Sequence, residues 1–228
     1  MRRIALLGLA TLFLAGVTLG EDFWVKKDYT QWSGEEVKKI MTDSPWAKDV
    51  AASVPSNLLP RPAAAAVDPT AAPARRGRSA PADGDSAPAD GLVSLTVSWR
   101  SALPLRKAIV KSRVGASSEI PEEMKQMLKD QDEYVIAVSG VPANLAPFVQ
   151  DARTKLSALK IGKRAPLMPK SVDFQKKTQS IDVFFSFPKS EIIMLADKEV
   201  EFDVVLGPIN AKRKFTLKDM VYNGKLEL

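Results

Sequence analysis

The stretch EVEFDVVLGPINAKRKFTL, residues 199–217, decides the fold class of this chain of 228 residues. Apolar and acidic side chains alternate in its first half. In its second half Arg213, Phe215 and Leu217 alternate with the polar residues Lys212, Lys214 and Thr216. Alternation with a period of two residues is typical of strands that bury one face, and Gly207-Pro208 marks the reversal between them. The stretch therefore predicts an antiparallel hairpin with an apolar inner face and a charged outer face.

Two registers of this hairpin keep its apolar face intact, because a shift of two residues leaves every side chain on the same side of the sheet. One register sets Glu201 opposite Lys214, and the other sets Phe202 opposite Phe215. We expect the second register, because it aligns aromatic and β-branched residues across the two strands.

The remainder of residues 92–228 mixes strand and helix patterns. Helices that come mostly before a cluster of strands favour an α+β fold with an antiparallel sheet. A last short strand is expected after residue 220, with its turn at Asn223-Gly224. The other predicted strands cover 92–99, 134–138 and 181–187, and the predicted helices cover 102–112, a stretch that begins at Pro121, and 145–159.

Residues 21–54 carry three of the four tryptophans and two signals for the start of a helix. Ser33 and Glu36 have the spacing of a capping box, and apolar residues at helical spacing follow them. The Ser44-Pro45 pair is typical of a second helix start, because proline favours the first helical position. We therefore predict a Trp-rich segment of two short helices ahead of the α+β domain.

Helices this short are not stable alone in water, so Trp24, Trp32 and Trp46 must be buried against a larger surface. We expect that surface to be the chain's own C-terminal domain. The alternative is that the three indoles are docking anchors for another protein, since tryptophan is common at the centre of interfaces. The segment carries five lysines and seven acidic residues, which disfavours a membrane-binding amphipathic helix.

Residues 55–91 contain seven prolines, eleven alanines, three glycines and no aromatic residue. A segment of this composition cannot bury enough apolar surface to offset the entropy lost on ordering. It is predicted to be a disordered linker between the Trp-rich segment and the domain formed by residues 92–228.

Residues 1–20 have the pattern of a signal peptide, with Arg2 and Arg3 ahead of an uncharged apolar run. Small residues at Thr18 and Gly20 place the expected cleavage before Glu21. No second long apolar run follows, so no integral membrane span is expected after cleavage. The sequence thus predicts export to a bacterial periplasm or to the extracellular space.

The chain contains no cysteine and no histidine. Their absence excludes disulfides, thiolate metal sites, a Ser-His-Asp triad and cysteine nucleophiles. No phosphate-binding glycine loop or calcium loop is present, and the acidic run from Asp130 to Glu133 is interpreted as a solvated turn rather than a metal site. We therefore expect no cofactor, no metal and no enzymatic activity.

After signal cleavage the chain has 31 basic and 27 acidic residues, and the surplus of positive charge lies in residues 92–228. The densest basic stretch covers residues 160–177 and contains only one aromatic residue, Phe174, so binding to nucleic acid is not expected. Such a domain fits an anionic envelope polymer or another envelope protein as its partner. No sequence feature indicates an oligomeric state.

Two stretches, YTQWSGEEVKKIMTDSPWA at 29–47 and FTLKDMVYNGKLEL at 215–228, resemble a group of uncharacterised secreted bacterial proteins. In that group a signal peptide is followed by a similar Trp-Ser…Asp-Ser-Pro-Trp-Ala motif and a variable C-terminal part. The resemblance implies export from a bacterial cell, and it brings no activity and no site residue.

Three hypotheses of function follow. The first is an exported, non-enzymatic envelope protein that acts as a structural or protein-interaction module. The alternative is a module that binds a small ligand or an envelope polymer in a cleft of the C-terminal domain, which a large apolar pocket with convergent polar groups would favour. A hydrolase that uses paired carboxylates is the least favoured of the three.

Overall fold

The structure is a computed structural model, and it describes residues 22–58, 91–115, 117, 119–149 and 156–228. The predicted signal peptide, at residues 1–20, lies outside the described residues. Residues 59–90, which make up most of the predicted linker, also lie outside them.

The described residues form five α-helices and ten β-strands. The helices are α1 (Phe23–Lys26), α2 (Gly34–Thr42), α3 (Leu103–Val114), α4 (Glu122–Gln126) and α5 (Ala146–Val149). The strands are β1 (Ala47–Val54), β2 (Gly91–Trp99), β3 (Glu133–Pro142), β4 (Ala158–Ile161), β5 (Ser171–Lys176), β6 (Ser180–Pro188), β7 (Glu199–Leu206), β8 (Ile209–Thr216), β9 (Val221–Tyr222) and β10 (Lys225–Leu226).

Strands β1 to β8 form one sheet in the order β4-β7-β8-β1-β2-β3-β6-β5, and every pair in it is antiparallel. The predicted α+β class with an antiparallel sheet is confirmed. Strands β9 and β10 form the predicted terminal hairpin around Asn223-Gly224. Along β7, buried and partly exposed residues alternate from Val200 to Leu206, as the sequence pattern predicts for a strand with one apolar face.

The Trp-rich segment contributes a central strand to this sheet. Strand β1 pairs with β2 along its whole length, from Ala47 opposite Ser98 to Val54 opposite Gly91, and its other edge pairs with β8. Residues 55–90 therefore connect the end of β1 to the start of β2, and these two ends lie side by side in the sheet, with Val54 opposite Gly91.

The predicted helix that begins at Ser44-Pro45 is wrong. Ser44 instead closes the end of α2, where its hydroxyl donates to the Ile40 oxygen at 2.7 Å and accepts from the Trp46 nitrogen at 3.3 Å. The chain then enters β1. An isolated stretch of this composition has no strong preference, and the eight-residue ladder with β2 decides in favour of the strand.

Helix α2 follows the sequence prediction. The Ser33 hydroxyl accepts from the Glu36 main-chain nitrogen at 3.2 Å, and the Glu36 carboxylate accepts from the Ser33 nitrogen at 2.8 Å. The capping box is therefore complete in both directions. Val37 and Ile40 are the buried residues of this helix, as the apolar stripe indicates.

The hairpin at residues 199–217 forms in the register that sets Glu201 opposite Lys214, so the expected pairing of Phe202 with Phe215 is wrong. The chain reverses in a turn of two residues, and the residue that comes first in this turn explains why the observed register forms. The expected register would put Pro208 first in the turn, whereas the observed one puts Gly207 there with φ of +59°. Tight hairpin turns need a positive φ at that position, which glycine adopts and proline cannot.

The predicted helix over 145–159 is confirmed at residues 146–149, which form α5, and is wrong at residues 158–159. Residues 150–155 lie outside the described residues. Leu159 belongs to β4, where it pairs with Phe202 of β7. The spacing of apolar residues suits a helix, but the edge of β7 offers backbone hydrogen bonds that make the last residues a strand.

Candidate functional site

The three tryptophans predicted to be anchors, Trp24, Trp32 and Trp46, lie in the hydrophobic core. Trp46 is fully buried, and its Nε1 donates a hydrogen bond to the main-chain oxygen of Glu227 at 3.0 Å. Its ring also meets the ring of Tyr222 edge to face, with 6.2 Å between the ring centroids. The Trp-rich segment therefore packs against the last residues of the same chain.

The other two indoles extend this cluster. Trp24 lies 5.9 Å from Trp46 between ring centroids, and the Trp32 Nε1 donates to the Lys27 oxygen at 3.3 Å. Each of the three indole residues is at most 5% exposed. In this conformation they stabilise the fold and leave no indole face open to a partner.

A groove of about 530 Å³ opens between α3 and the strands β3, β5 and β6. We call it the Arg100 groove. Its walls combine apolar surface from Ile109, Val135 and Phe184 with charged side chains. The charged residues that define the groove are Arg100, Arg106, Arg113, Lys177 and Asp182.

Arg100 follows β2 directly, and strand alternation turns it away from its fully buried neighbour Trp99. Its Nη2 donates to the Ser139 hydroxyl at 3.4 Å, while its buried Nε has no hydrogen-bond partner among the described residues. No acidic side chain in the described part of the chain lies within ion-pair distance of it.

Burial lowers the pKa of the Arg100 guanidinium below its usual value, and the field of Asp182 acts in the opposite direction. An arginine stays protonated even with such a shift. Arg100 is therefore a positive charge that is partly withdrawn from water and only partly compensated by protein groups, which is an unfavourable state without a counter-charge.

Asp182 lies in β6 and is only 2% exposed. Its Oδ2 pairs with Lys177 Nζ at 2.6 Å, and the turn that ends with Ser180 places Lys177 there, because the Lys177 nitrogen donates to the Ser180 oxygen. Its Oδ1 is buried and has no partner among the residues that the structure describes. Two residues that line the groove, Arg100 and Asp182, thus each have one buried atom with no hydrogen-bond partner among the described residues.

Arg106 lines the same groove but differs from Arg100 in its bonding. Its Nε donates to the Ser101 oxygen at 2.9 Å, and its Nη1 donates to the main-chain oxygens of Met127 and Lys129. The hydrogen bonds from Arg106 to these two carbonyls fix the loop before β3. Arg106 is consequently a structural residue, whereas Arg100 has hydrogen-bonding capacity left for a ligand.

A second cavity, of about 350 Å³, lies beside the C-terminal residues and is also lined by Arg106. Its charged groups already have partners: Lys189 Nζ donates to the Gln131 oxygen at 2.8 Å, and Glu227 accepts from the Leu103 nitrogen at 3.2 Å. Because its groups are satisfied within the chain, this cavity is a weaker candidate than the Arg100 groove.

The dense basic stretch at 160–177 contributes little to the groove. Lys160 pairs with Asp203, Arg164 pairs with Asp197, and Lys170 pairs with Glu133 across strands and loops. Of that stretch, Lys177 and the neutral residue Gln175 line the groove. A run of positive charge in the sequence thus becomes a mostly neutralised surface.

Two carboxylates of the acidic run from Asp130 to Glu133 are paired with lysines. Asp130 lies 3.5 Å from Lys225 Nζ, and Glu133 lies 2.7 Å from Lys170 Nζ. Within the described residues, no group of three or more acidic side chains is arranged to hold a metal ion.

Sequence reasoning missed Arg100 and Asp182. One signal was present for each of them. Asp182 is a carboxylate inside the apolar run 181–187, and Arg100 closes an alternating strand on its polar side. A charge inside a strand that is otherwise apolar must be buried with a partner or face a cavity, which makes it a reasonable site candidate.

Three residues of the groove offer a ligand groups of different chemistry: a guanidinium, a carboxylate and an aromatic ring. They are Arg100, which directly follows β2, and Asp182 and Phe184, which lie in β6.

No helix in the described part of the chain is both long and apolar enough to cross a membrane.

No protein-family model, no curated protein and no solved structure matches this chain.

Proposed function

We propose that the chain is an exported, non-enzymatic envelope protein that binds an anionic ligand in the Arg100 groove. The observation that carries the proposal is the buried Arg100 Nε, which has no hydrogen-bond partner among the described residues. The export signal expected at residues 1–20 supports the location.

A ligand carboxylate or phosphate in the groove would supply the counter-charge that Arg100 lacks among the described residues. The guanidinium presents its donors in a planar fork that matches two oxygen atoms of such a group, and charge-assisted bonds of this kind are stronger than neutral ones. The four basic and one acidic residues of the groove leave it positively charged. The net positive charge of residues 92–228 would also attract an anion over a longer range.

Binding is a better proposal than catalysis for this groove. The chain has no histidine and no cysteine to serve as base or nucleophile. The carboxylate in the groove, Asp182, is paired with Lys177 at 2.6 Å. A protein-interaction module remains the alternative, but its strongest support was the docking role of the three indoles, which are buried in the core.

Titration of the full chain with fluorescently labelled poly-L-glutamate tests the proposal. Arg100→Gln should weaken binding by about tenfold or more, since a charge-assisted bond to a ligand is worth about 1.5–3 kcal/mol. Lys218→Gln is the matched control, because it removes the same charge from an exposed residue outside the groove.

The two variants separate groove binding from general charge attraction. The proposal expects the control to bind within about twofold of the wild type, and expects binding to weaken as salt is added. Equal loss of affinity in both variants, or no binding of the polyanion by the wild type at low salt, would contradict it.

A further inference from the structure

We infer that the ligand of the Arg100 groove is an acidic sugar of the uronic acid class, a refinement that rests on the proposed anion-binding function. Three groups of different chemistry line the groove. Arg100 is a donor for a carboxylate, Asp182 is an acceptor for a hydroxyl, and Phe184 supplies a ring surface.

A simple anion such as phosphate or acetate would not satisfy the carboxylate of Asp182. Its Oδ1 is buried without a partner among the described residues, while Oδ2 is held by Lys177. A buried carboxylate oxygen can be satisfied only by a donor, and it repels a ligand that brings negative charge alone. A ligand that carries a hydroxyl or another donor beside its anionic group would satisfy this oxygen, which a simple anion cannot do.

The register of the sheet places neutral polar groups next to Asp182. Gln175 of β5 lies directly opposite it, and the exposed Gln175 side chain also lines the groove. An amide both donates and accepts hydrogen bonds, which suits a hydroxyl group that does the same. Two neighbouring ring hydroxyls of a sugar could thus be bound by one strand pair.

The apolar wall completes the match. Phe184 lies two residues after Asp182 in β6, so both side chains emerge on the same face of the strand. Val135 and Ile109 continue this surface towards α3. The C–H face of a pyranose ring is apolar and packs well on such a surface, whereas inorganic phosphate has nothing to place there.

One carboxylate on the ligand is enough to pair with Arg100. Beside Asp182 a neutral donor is favoured over further negative charge, because like charges at short range repel each other. A sugar monocarboxylate brings one charge for Arg100 and leaves the hydroxyls for Asp182 and Gln175. The groove volume of about 530 Å³ also lies within the usual range of small-ligand sites.

The experiment is a calorimetric titration of the full chain with three probes: D-glucuronate, propionate and D-glucose. Glucuronate has both the carboxylate and the hydroxyls, propionate has only the carboxylate, and glucose has only the hydroxyls. The wild type should bind glucuronate at least about tenfold more tightly than either of the others, because one further charge-assisted hydrogen bond is worth that factor.

The variant Asp182→Ala separates this inference from the anion-binding proposal. It should keep or increase the affinity for propionate, since a negative charge leaves the groove, and it should lose the preference for glucuronate. Asp182→Asn keeps the side-chain shape and should reduce the preference partly, which guards against a fold-related loss. Arg100→Gln should weaken both carboxylates.

Equal affinity of the wild type for glucuronate and propionate would overturn the inference and leave the anion-binding proposal in place. An unchanged preference for glucuronate in folded Asp182→Ala would also overturn it. If neither carboxylate nor poly-L-glutamate binds, both the inference and the proposed function fail.

Discussion

Replacement of Trp46 by alanine should remove much of the stability of the fold. The indole is fully buried, its Nε1 bonds the Glu227 oxygen at 3.0 Å, and its ring contacts Trp24 and Tyr222 edge to face. It therefore connects the start of the sheet's central strand to the last residues of the chain. Loss of this side chain opens a cavity between two segments that are far apart in sequence.

The expected cost has two parts. Truncation of a buried tryptophan to alanine costs about 3–5 kcal/mol through lost burial and the cavity. The Glu227 carbonyl also loses its donor, which adds about 1 kcal/mol. The sum of about 4–6 kcal/mol is a large fraction of the stability of a typical domain, about 5–15 kcal/mol. The variant should therefore unfold at a much lower urea concentration than the wild type.

Urea unfolding followed by far-UV circular dichroism measures this change, with the midpoint and the slope both fitted. Phe174→Ala is the control. Phe174 is also aromatic, but it is 37% exposed on the edge strand β5, so its truncation should cost less than about 1 kcal/mol.

A Trp46→Ala variant that unfolds within about 1 kcal/mol of the wild type, with an unchanged slope, would refute the reasoning. That result would mean that the indole does not pack against Glu227 and Tyr222 in solution. It would favour the alternative hypothesis, in which the Trp-rich segment docks onto another protein.

Three further predictions concern the hairpin turn, the first capped helix and processing. Gly207→Ala should destabilise the chain by more than Gly224→Ala, because an added Cβ at Gly207 would lie 2.5 Å from Phe148 Cβ while nothing lies within 4 Å at Gly224; equal urea midpoints would contradict this. The hydrogen bond from Lys27 and those of the capping box lower the pKa of Glu36 in the folded chain. The ionised Glu36 carboxylate therefore stabilises the fold above its unfolded-state pKa, and this stabilisation is lost as the pH falls through its folded-state pKa. The stability gap between the wild type and Glu36→Gln should therefore be wide at neutral pH and close in acid, and a gap that does not change with pH in urea titrations would argue against it. The mature protein should begin at Glu21, and mass spectrometry that finds Met1 in the exported fraction would exclude this cleavage.

Local signals predicted local structure well. The capping box of Ser33 and Glu36 forms as expected because all of its hydrogen bonds lie within four consecutive residues. The alternation in residues 199–217 predicted the two faces of the hairpin, because successive side chains of a strand point to opposite sides whatever the strand pairs with. In both cases the signal lies within a few neighbouring residues.

Segments whose partners are distant were predicted less well. Residues 47–54 form a strand because β2 and β8 flank them, and Leu159 is in a strand because it pairs with Phe202. Neither partner can be identified from the segment itself. The signals for a helix at Ser44-Pro45 are real but weak, and the sheet overrides them.

The candidate site shows the same division. Composition established the excess of positive charge in residues 92–228, but ion pairs formed by the fold decide which charges remain available. Lys160 and Lys170 are neutralised by acidic residues on other strands and loops, whereas Arg100 has no such partner among the described residues. Only the three-dimensional arrangement distinguishes an unpaired charge from a paired one.

The sequence by itself determined the fold class, the capped helix and the two faces of the hairpin, because side-chain periodicity and capping act over a few residues. The tertiary structure alone decided that the Trp-rich segment supplies a central strand and that Arg100 and Asp182 line one groove. Those two residues are far apart in the chain and are brought together by the pairing of β2, β3 and β6. Such pairing depends on contacts among many segments at once, and no single stretch of sequence specifies it.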